Sequence, residues 1–330
     1  MRKAGVLSIL FVVVPLAIAV IAEAQQQTNV PKIGVLSSGS RSVSGPGSRL
    51  ELIRQGVREL GYVEGKNIII EYRSAEEKFD RLPALVDELI RLKVDVLVMS
   101  STPAALAAKN VTRTIPIVFI GVSDPVAAGL VDSLARPGAN ITGFSAISAA
   151  LAGKRLELLK ETVPKLSRVA VLWDPRDPNA AEAWKESQLP AQELGLQLHS
   201  MEVSNANKYE SAFNEAIKTG SAALAVAGSP LTVSNRKQIA DLAAKNRLPA
   251  VYHRADFVDN GGLMSYGADQ VEPYRRVAVY VDKILKGAKP ADLPVEQPKK
   301  FEFIMNLKAA KQIGLTIPPN VLARADKVIR

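Results

Sequence analysis

Three hydroxyl side chains, Ser100, Ser101 and Thr102, stand in a row between a run of apolar residues and Pro103. Such a cluster reads as the start of a helix. A hydroxyl caps it, proline takes the first helical position, and the Ala-rich run from Ala104 propagates it. Backbone N–H groups at a helix start lack intrahelical partners, and with neutral hydroxyls beside them they seat a carboxylate or a phosphate. Farther on, Gly121-Val122-Ser123-Asp124-Pro125 ends a second apolar run and brings in a fixed negative charge. An anion seat beside a carboxylate matches a zwitterion. Ser101 and Thr102 would take its carboxylate and Asp124 its ammonium group. Ordinary capping and turn formation account for each of these residues equally well.

The elements that position these residues are strand, helix and strand. Val94–Met99 and Ile115–Ile120 are short, apolar and rich in β-branched residues, as parallel strands buried on both faces must be. In open α/β sheets ligands bind beyond the carboxyl ends of the strands, so Ser100, Ser101, Thr102, Ser123 and Asp124 fall on one binding edge. Ser37, Ser38 and Gly39 join them after the strand Lys32–Leu36. From the second half of the chain, Trp173, Gly228, Ser229, Tyr252, Arg254 and Tyr266 follow or end strands and could reach into the same cleft. Aromatic residues make up 5% of the chain, so several at strand ends suggest a ring or apolar group on the ligand. Trp173 and Tyr252 suit a lobe core as well. An inward-pointing Arg254 would favour a dicarboxylate or an aromatic acid over an amino acid.

Along the rest of the chain, apolar spacing predicts helices through Leu50–Leu60, Leu82–Leu89 with Asp80 as cap, Leu156–Val163, up to about Leu194, Tyr209–Ile217, Ile239–Leu242 and Tyr274–Leu285. A short helix is expected within 129–138. Phe301–Asn306 is expected as the last strand, with a helical tail after Pro318-Pro319. Ala107-Ala108-Lys109-Asn110 before Ile115–Phe119 echoes Ala243-Ala244-Lys245-Asn246 before Leu248–Tyr252, in the same order of elements. The fold class is therefore α/β, with two doubly wound lobes. Residues 31–143 with 268–292 are assigned to an N-terminal lobe, and 144–267 with 293–330 to a C-terminal lobe. Crossings are placed near Thr142–Ser145, Ser265–Gly267 and Asp292–Pro298.

The 330 residues are 47% hydrophobic, enough for two cores. Arg2-Lys3, the apolar run Val6–Ile21 and Ala22-Glu23-Ala24 describe a cleavable signal peptide over 1–24. A periplasmic location follows. The chain contains no cysteine, so disulfides, a thiol nucleophile and a lipoprotein anchor are excluded. The net charge of +9 is spread over the chain and mixed with acids, unlike the concentrated basic patch that nucleic acid requires. His199 and His253 lack metal-ligand spacing, and neither a nucleotide-binding glycine loop nor a Gly-x-Ser-x-Gly elbow is present. No catalytic set, metal or cofactor is expected. The chain reads as a binding protein, not an enzyme.

Several stretches carry a family resemblance. They include Arg54-Gln55-Gly56-Val57-Arg58-Glu59-Leu60-Gly61-Tyr62, Asp80-Arg81-Leu82-Pro83-Ala84-Leu85, Thr102-Pro103-Ala104-Ala105 and Ser123-Asp124-Pro125-Val126. Gly153–Leu159, Gly262–Gly267 and Tyr280–Gly287 belong to the same pattern. Over roughly 30–330 the chain resembles the exported substrate-binding proteins of the tryptophan/tyrosine-type ABC transport family. That resemblance implies a type I periplasmic-binding fold, with two lobes joined by three crossings. It also implies capture of a small ligand in the cleft, hinge closure, and delivery to an inner-membrane ABC permease with its ATPase. The protein is expected to act as a monomer. The alternative is a periplasmic sensor that docks on a membrane signalling receptor.

Overall fold

The computed structural model describes residues 30–39, 48–269 and 271–330. The expected signal peptide and most of the Ser/Gly loop after the first strand lie outside the described residues.

Two sheets organise the chain. β1 (Lys32–Ser37), β2 (Ile69–Ser74), β3 (Val96–Met99), β4 (Ile117–Val122) and β5 (Ile141–Ser145) are all parallel, in the order β2-β1-β3-β4-β5. The second sheet contains β6 (Arg168–Trp173), β7 (Gln197–Glu202), β8 (Ala223–Val226), β9 (Ala250–Tyr252), β10 (Met264–Ala268), β11 (Phe301–Asn306) and β12 (Lys327–Ile329). Its order is β12-β11-β10-β9-β8-β6-β7, antiparallel only between β10 and β11.

The connecting helices are α1 (Arg49–Glu59), α2 (Leu82–Arg91) and α3 (Thr102–Val111) in the first half, and α4 (Ala152–Thr162), α5 (Pro178–Glu193) and α6 (Tyr209–Lys218) in the second. After them come α7 (Pro230–Ser234), α8 (Arg236–Lys245), α9 (Ala255–Asp259), α10 (Glu272–Leu285), α11 (Leu307–Gln312) and α12 (Pro319–Leu322). Helices cover both faces of each sheet, so central strands are apolar on alternate residues in both directions. In β3, Val96 and Val98 enter one core while Leu97 and Met99 enter the other, and all four are fully buried. Val171 is buried in the same manner in β6.

α10 returns to the first lobe and lies against α1. Their close approach depends on Gly56: a β-carbon there would sit 2.3 Å from the carbonyl oxygen of Arg275. Leu293 and Val295 pack in the first lobe's two cores, and Glu296 bridges to Phe144 in β5. The chain thus passes between lobes three times, after β5, between β10 and α10, and between Glu296 and β11. The first two passages fall just beyond the expected places, and the third overlaps the expected Asp292–Pro298. Thr142–Ser145 is strand, and Ser265–Gly267 lies inside β10.

Other expectations are corrected by local chemistry. Asp80 does not cap α2, which grows out of a 3-10 turn over Phe79–Arg81 with Pro83 in its first turn and no side-chain cap. Residues 129–138 form turns instead of a helix; Gly129 and Gly138 both take positive φ there. The tail after Pro318-Pro319 does begin in a helix, α12, but it ends in the edge strand β12, so Phe301–Asn306 is not the last strand. A three-residue strand opening on an exposed lysine carries no readable periodicity.

Candidate functional site

The repeat noted in the sequence places two helix starts opposite each other. Ser101 caps α3 after β3 and accepts from the Ala104 backbone N–H at 3.3 Å; Ser229 caps α7 after β8 and accepts from Thr232 N–H at 3.1 Å. Ser38 Oγ lies 2.5 Å from Ser101 Oγ and fixes that hydroxyl. Between the lobes is a cavity of about 80 Å³ lined by Ser100 and Ser101 on one side and Gly228 and Ser229 on the other. A larger cavity of about 470 Å³ adjoins it. The two share Arg49, Ser100, Arg254 and Tyr274, and Ser37, Gly39 and Tyr72 line the larger one.

The smaller cavity is rich in guanidinium groups. Arg155 on α4 is only 4% exposed. Its Nε donates to the Tyr266 carbonyl at 2.8 Å, and its Nη1 and Nη2 donate to the Ser148 carbonyl and Oγ at 2.9 and 3.2 Å. Among the described residues no carboxylate pairs with it. Burial lowers its pKa to about 10, which leaves it charged at neutral pH. Arg49 sits 5.5 Å above the Tyr274 ring, a cation–π contact. Arg254 is bound to Asp256 through Nε and Nη2 at 3.1 and 2.8 Å. His253 lines the cavity against Gly228, where a β-carbon would lie 2.7 Å from the imidazole ring. Burial, then the charges of Arg155 and Arg254, push its pKa well down, so it is neutral.

The acid in this cavity is Asp177, 1% exposed, which caps α5 by accepting from Asn179 and Ala180 N–H groups at 2.8 and 3.3 Å. Burial pushes its pKa up to about 7, against the pull of those two N–H groups. Asn179, two residues on, crosses the cleft. Its Oδ1 accepts from Thr102 Oγ1 at 2.7 Å and from Ser123 N–H at 3.0 Å, while its Nδ2 donates to the Gly121 carbonyl at 3.1 Å. The lobes are therefore closed on each other.

The sequence-predicted residues divide. Ser100, Ser101, Gly228, Ser229 and Arg254 line the central cavity, and Ser37 and Gly39 line its neighbour. Ser38 and Thr102 are buried beside it in hydrogen bonds to Ser101 and Asn179. Ser123 is spent on the first crossing, where its Oγ accepts from Ala149 N–H at 2.8 Å. Asp124 is not among the lining residues; its Oδ1 accepts from Val126 and Ala127 N–H groups and shapes a turn. Trp173 stacks on Trp184 and donates to Ser200, Tyr252 is fully buried against Phe257, and Tyr266 stacks on Phe301. These three aromatic rings belong to the second lobe's own packing. Arg49, Arg155, Asp177 and Asn179 were not anticipated. Arg155 had a signal: with Ala152, Leu156 and Leu159 it occupies the buried stripe of α4, where a charge is out of place.

Comparison with known proteins agrees with this fold. The family model described as ABC transporter substrate binding protein matches residues 40–329. A tyrosine-binding protein from Clostridioides difficile is 26% identical over 261 residues, 79% of this chain and 75% of the relative. The solved structure of an ABC domain from Streptococcus pneumoniae in complex with L-Trp is 28% identical, with a TM-score of 0.80 over 91% of this chain and 99% of that one. A ligand-free, open substrate-binding protein with adhesive properties from Clostridium difficile is 26% identical over 91% of this chain and 99% of that one, with a TM-score of 0.62. Solved periplasmic binding proteins of lower identity share the fold, so the two doubly wound lobes and their three crossings are the type I periplasmic-binding architecture. With a match across nearly its whole length, the chain belongs to the ABC transporter substrate-binding protein family, whose members bind solutes and are not enzymes.

Proposed function

We propose that this protein captures a small carboxylate-bearing solute, an aromatic amino acid or a related aromatic or apolar acid, between its lobes. In this reading it works in the periplasm and hands the solute to an inner-membrane ABC permease. The observation that carries the reading is Arg155: a buried guanidinium lining an interlobe cavity with no carboxylate partner among the described residues. A buried charge without a counter-charge is costly, and a ligand carboxylate meets it with a charge-assisted pair. Ser101 and Ser229 add neutral hydroxyls from both lobes, and Asp177 is the acid an ammonium group would meet. Relatives that bind tyrosine and tryptophan support an aromatic side chain.

Closure follows from the same contacts. A ligand held by Arg155 on one lobe and the α3 start on the other makes both sets of contacts only when the cleft is shut. The test is a thermal-shift comparison of L-tyrosine, L-tryptophan, hydroxyphenylpropionate and tyramine. The three carboxylates are expected to raise the melting temperature and tyramine, which lacks one, to leave it unchanged. Equal stabilisation by tyramine would contradict a carboxylate seat.

A further inference from the structure

Beyond the seat at Arg155, the cavity holds positive charge that a ligand of zero net charge does not balance. Arg49 comes from the first lobe and Arg155 and Arg254 from the second, and all three line the same small space. Asp256 is occupied by Arg254 at 2.8 Å and has Arg236 at 3.9 Å. Neither Arg49 nor Arg155 has a carboxylate partner among the described residues. Asp177 lines the same cavity and, when ionised, offsets one of these two guanidiniums, which leaves one positive charge over. Of these two cavities, Asp259, Asp269 and Glu302 line only the larger, and Glu302 is paired with Lys300. His253 adds no negative charge.

A zwitterion brings no net charge, so its capture would leave the closed cavity positive. Like charges buried without compensation oppose closure, whereas an anionic ligand reaching both guanidiniums removes that opposition. We propose that the physiological ligand is a net anion, a monocarboxylic or dicarboxylic acid, whose negative groups are shared between Arg49 of one lobe and Arg155 of the other. This rests on the solute-capture reading above and narrows its ligand class. The two arginines also become the charge sensor of closure, because each lobe supplies one.

The experiment is calorimetric titration of the mature chain with matched ligand sets on one skeleton. One set is L-phenylalanine, phenylpropionate and benzylsuccinate; an aliphatic set is L-leucine, isocaproate and isobutylsuccinate. On at least one skeleton the acids should bind about tenfold or more tighter than the amino acid, a typical effect of one buried charge pair. Arg49→Gln should shrink that preference to within about threefold, and Arg49→Lys should retain most of it. An amino acid that binds as tightly as its acids, or a preference unchanged in Arg49→Gln, would overturn the net-anion ligand while leaving solute capture intact. Silence of the wild-type protein to both sets would overturn solute capture of this class and the inference with it.

Discussion

Thr102 in the first lobe donates a 2.7 Å hydrogen bond to the side-chain oxygen of Asn179 in the second. The same amide also engages Ser123 N–H and the Gly121 carbonyl, so one residue closes three contacts across the cleft. Asn179→Ala is expected to weaken ligand binding by about tenfold, from loss of interlobe bonds worth about 1 kcal/mol each, partly replaced by water. The ligand-free melting temperature should hardly move, because these bonds join lobes instead of building either. Titration calorimetry with a verified ligand checks the first part and a thermal melt the second. Undiminished affinity would show that the clasp does not contribute to the bound state.

Asp177 makes folding sensitive to pH in an unusual direction. Its pKa in the fold is about 7 against an ordinary value of 3.8, because burial disfavours the charged form. Between those values the folded chain keeps a proton that the unfolded chain releases. Stability from this group is therefore greatest below about pH 4 and is lost as the pH rises toward 7, by up to a few kcal/mol. Asp177→Asn keeps an oxygen for the Asn179 and Ala180 N–H groups but cannot titrate. The difference in melting temperature between the two proteins, followed from pH 4 to 8, should grow with pH and then level off. A constant difference would mean that the carboxyl is ionised throughout.

Gly56 is the contact point of α1 and α10, where an added β-carbon would meet the Arg275 carbonyl at 2.3 Å and the Ala278 side chain at 2.9 Å. In an exposed helix Gly→Ala stabilises; here it must push two helices apart, at about 1–3 kcal/mol. Chemical denaturation of Gly56→Ala should show a lowered midpoint with an unchanged slope. A raised midpoint would mean that the helices can separate without cost.

Tyr252 is fully buried, and its hydroxyl makes no hydrogen bond among the described residues. Tyr252→Phe removes a polar group left without a partner, so stability should rise or hold, by about 1 kcal/mol at most. Ligand affinity should be unchanged, since the ring stacks on Phe257 within the lobe. A fall in affinity would place Tyr252 back in the cleft.

The fold was legible where local chemistry and burial agree. Val96–Met99 can only be an inner strand, and Ser101, with Pro103 two residues on, announces the start of α3; Ser229-Pro230 starts α7 with the same pairing of hydroxyl and proline. The candidate site was legible in part. Asp124 and Asp177 each stand just ahead of a proline, and sequence does not rank two such carboxylates; their roles separate only because α5 carries Asp177 into the cavity while Asp124 folds over its own turn. Tyr252 ends a strand as a ligand residue would, but it turns toward Phe257 in α9, a five-residue helix too short to leave a periodic signal. Asn179 acts on residues 56 or more positions away, a relationship that no local pattern carries.

Arg155 is the side chain on which capture between the lobes depends, and its substitution is decisive. Arg155→Gln retains a side chain able to donate to the Tyr266 and Ser148 oxygens, so circular dichroism and the ligand-free melt should report a folded protein. Titration of that variant with the acid or amino acid that binds the wild type should show affinity reduced by about 30-fold or more, the cost of leaving a ligand carboxylate unpaired in a closed cleft. A folded Arg155→Gln protein that binds the same compound as tightly as the wild type would contradict the carboxylate seat between the lobes.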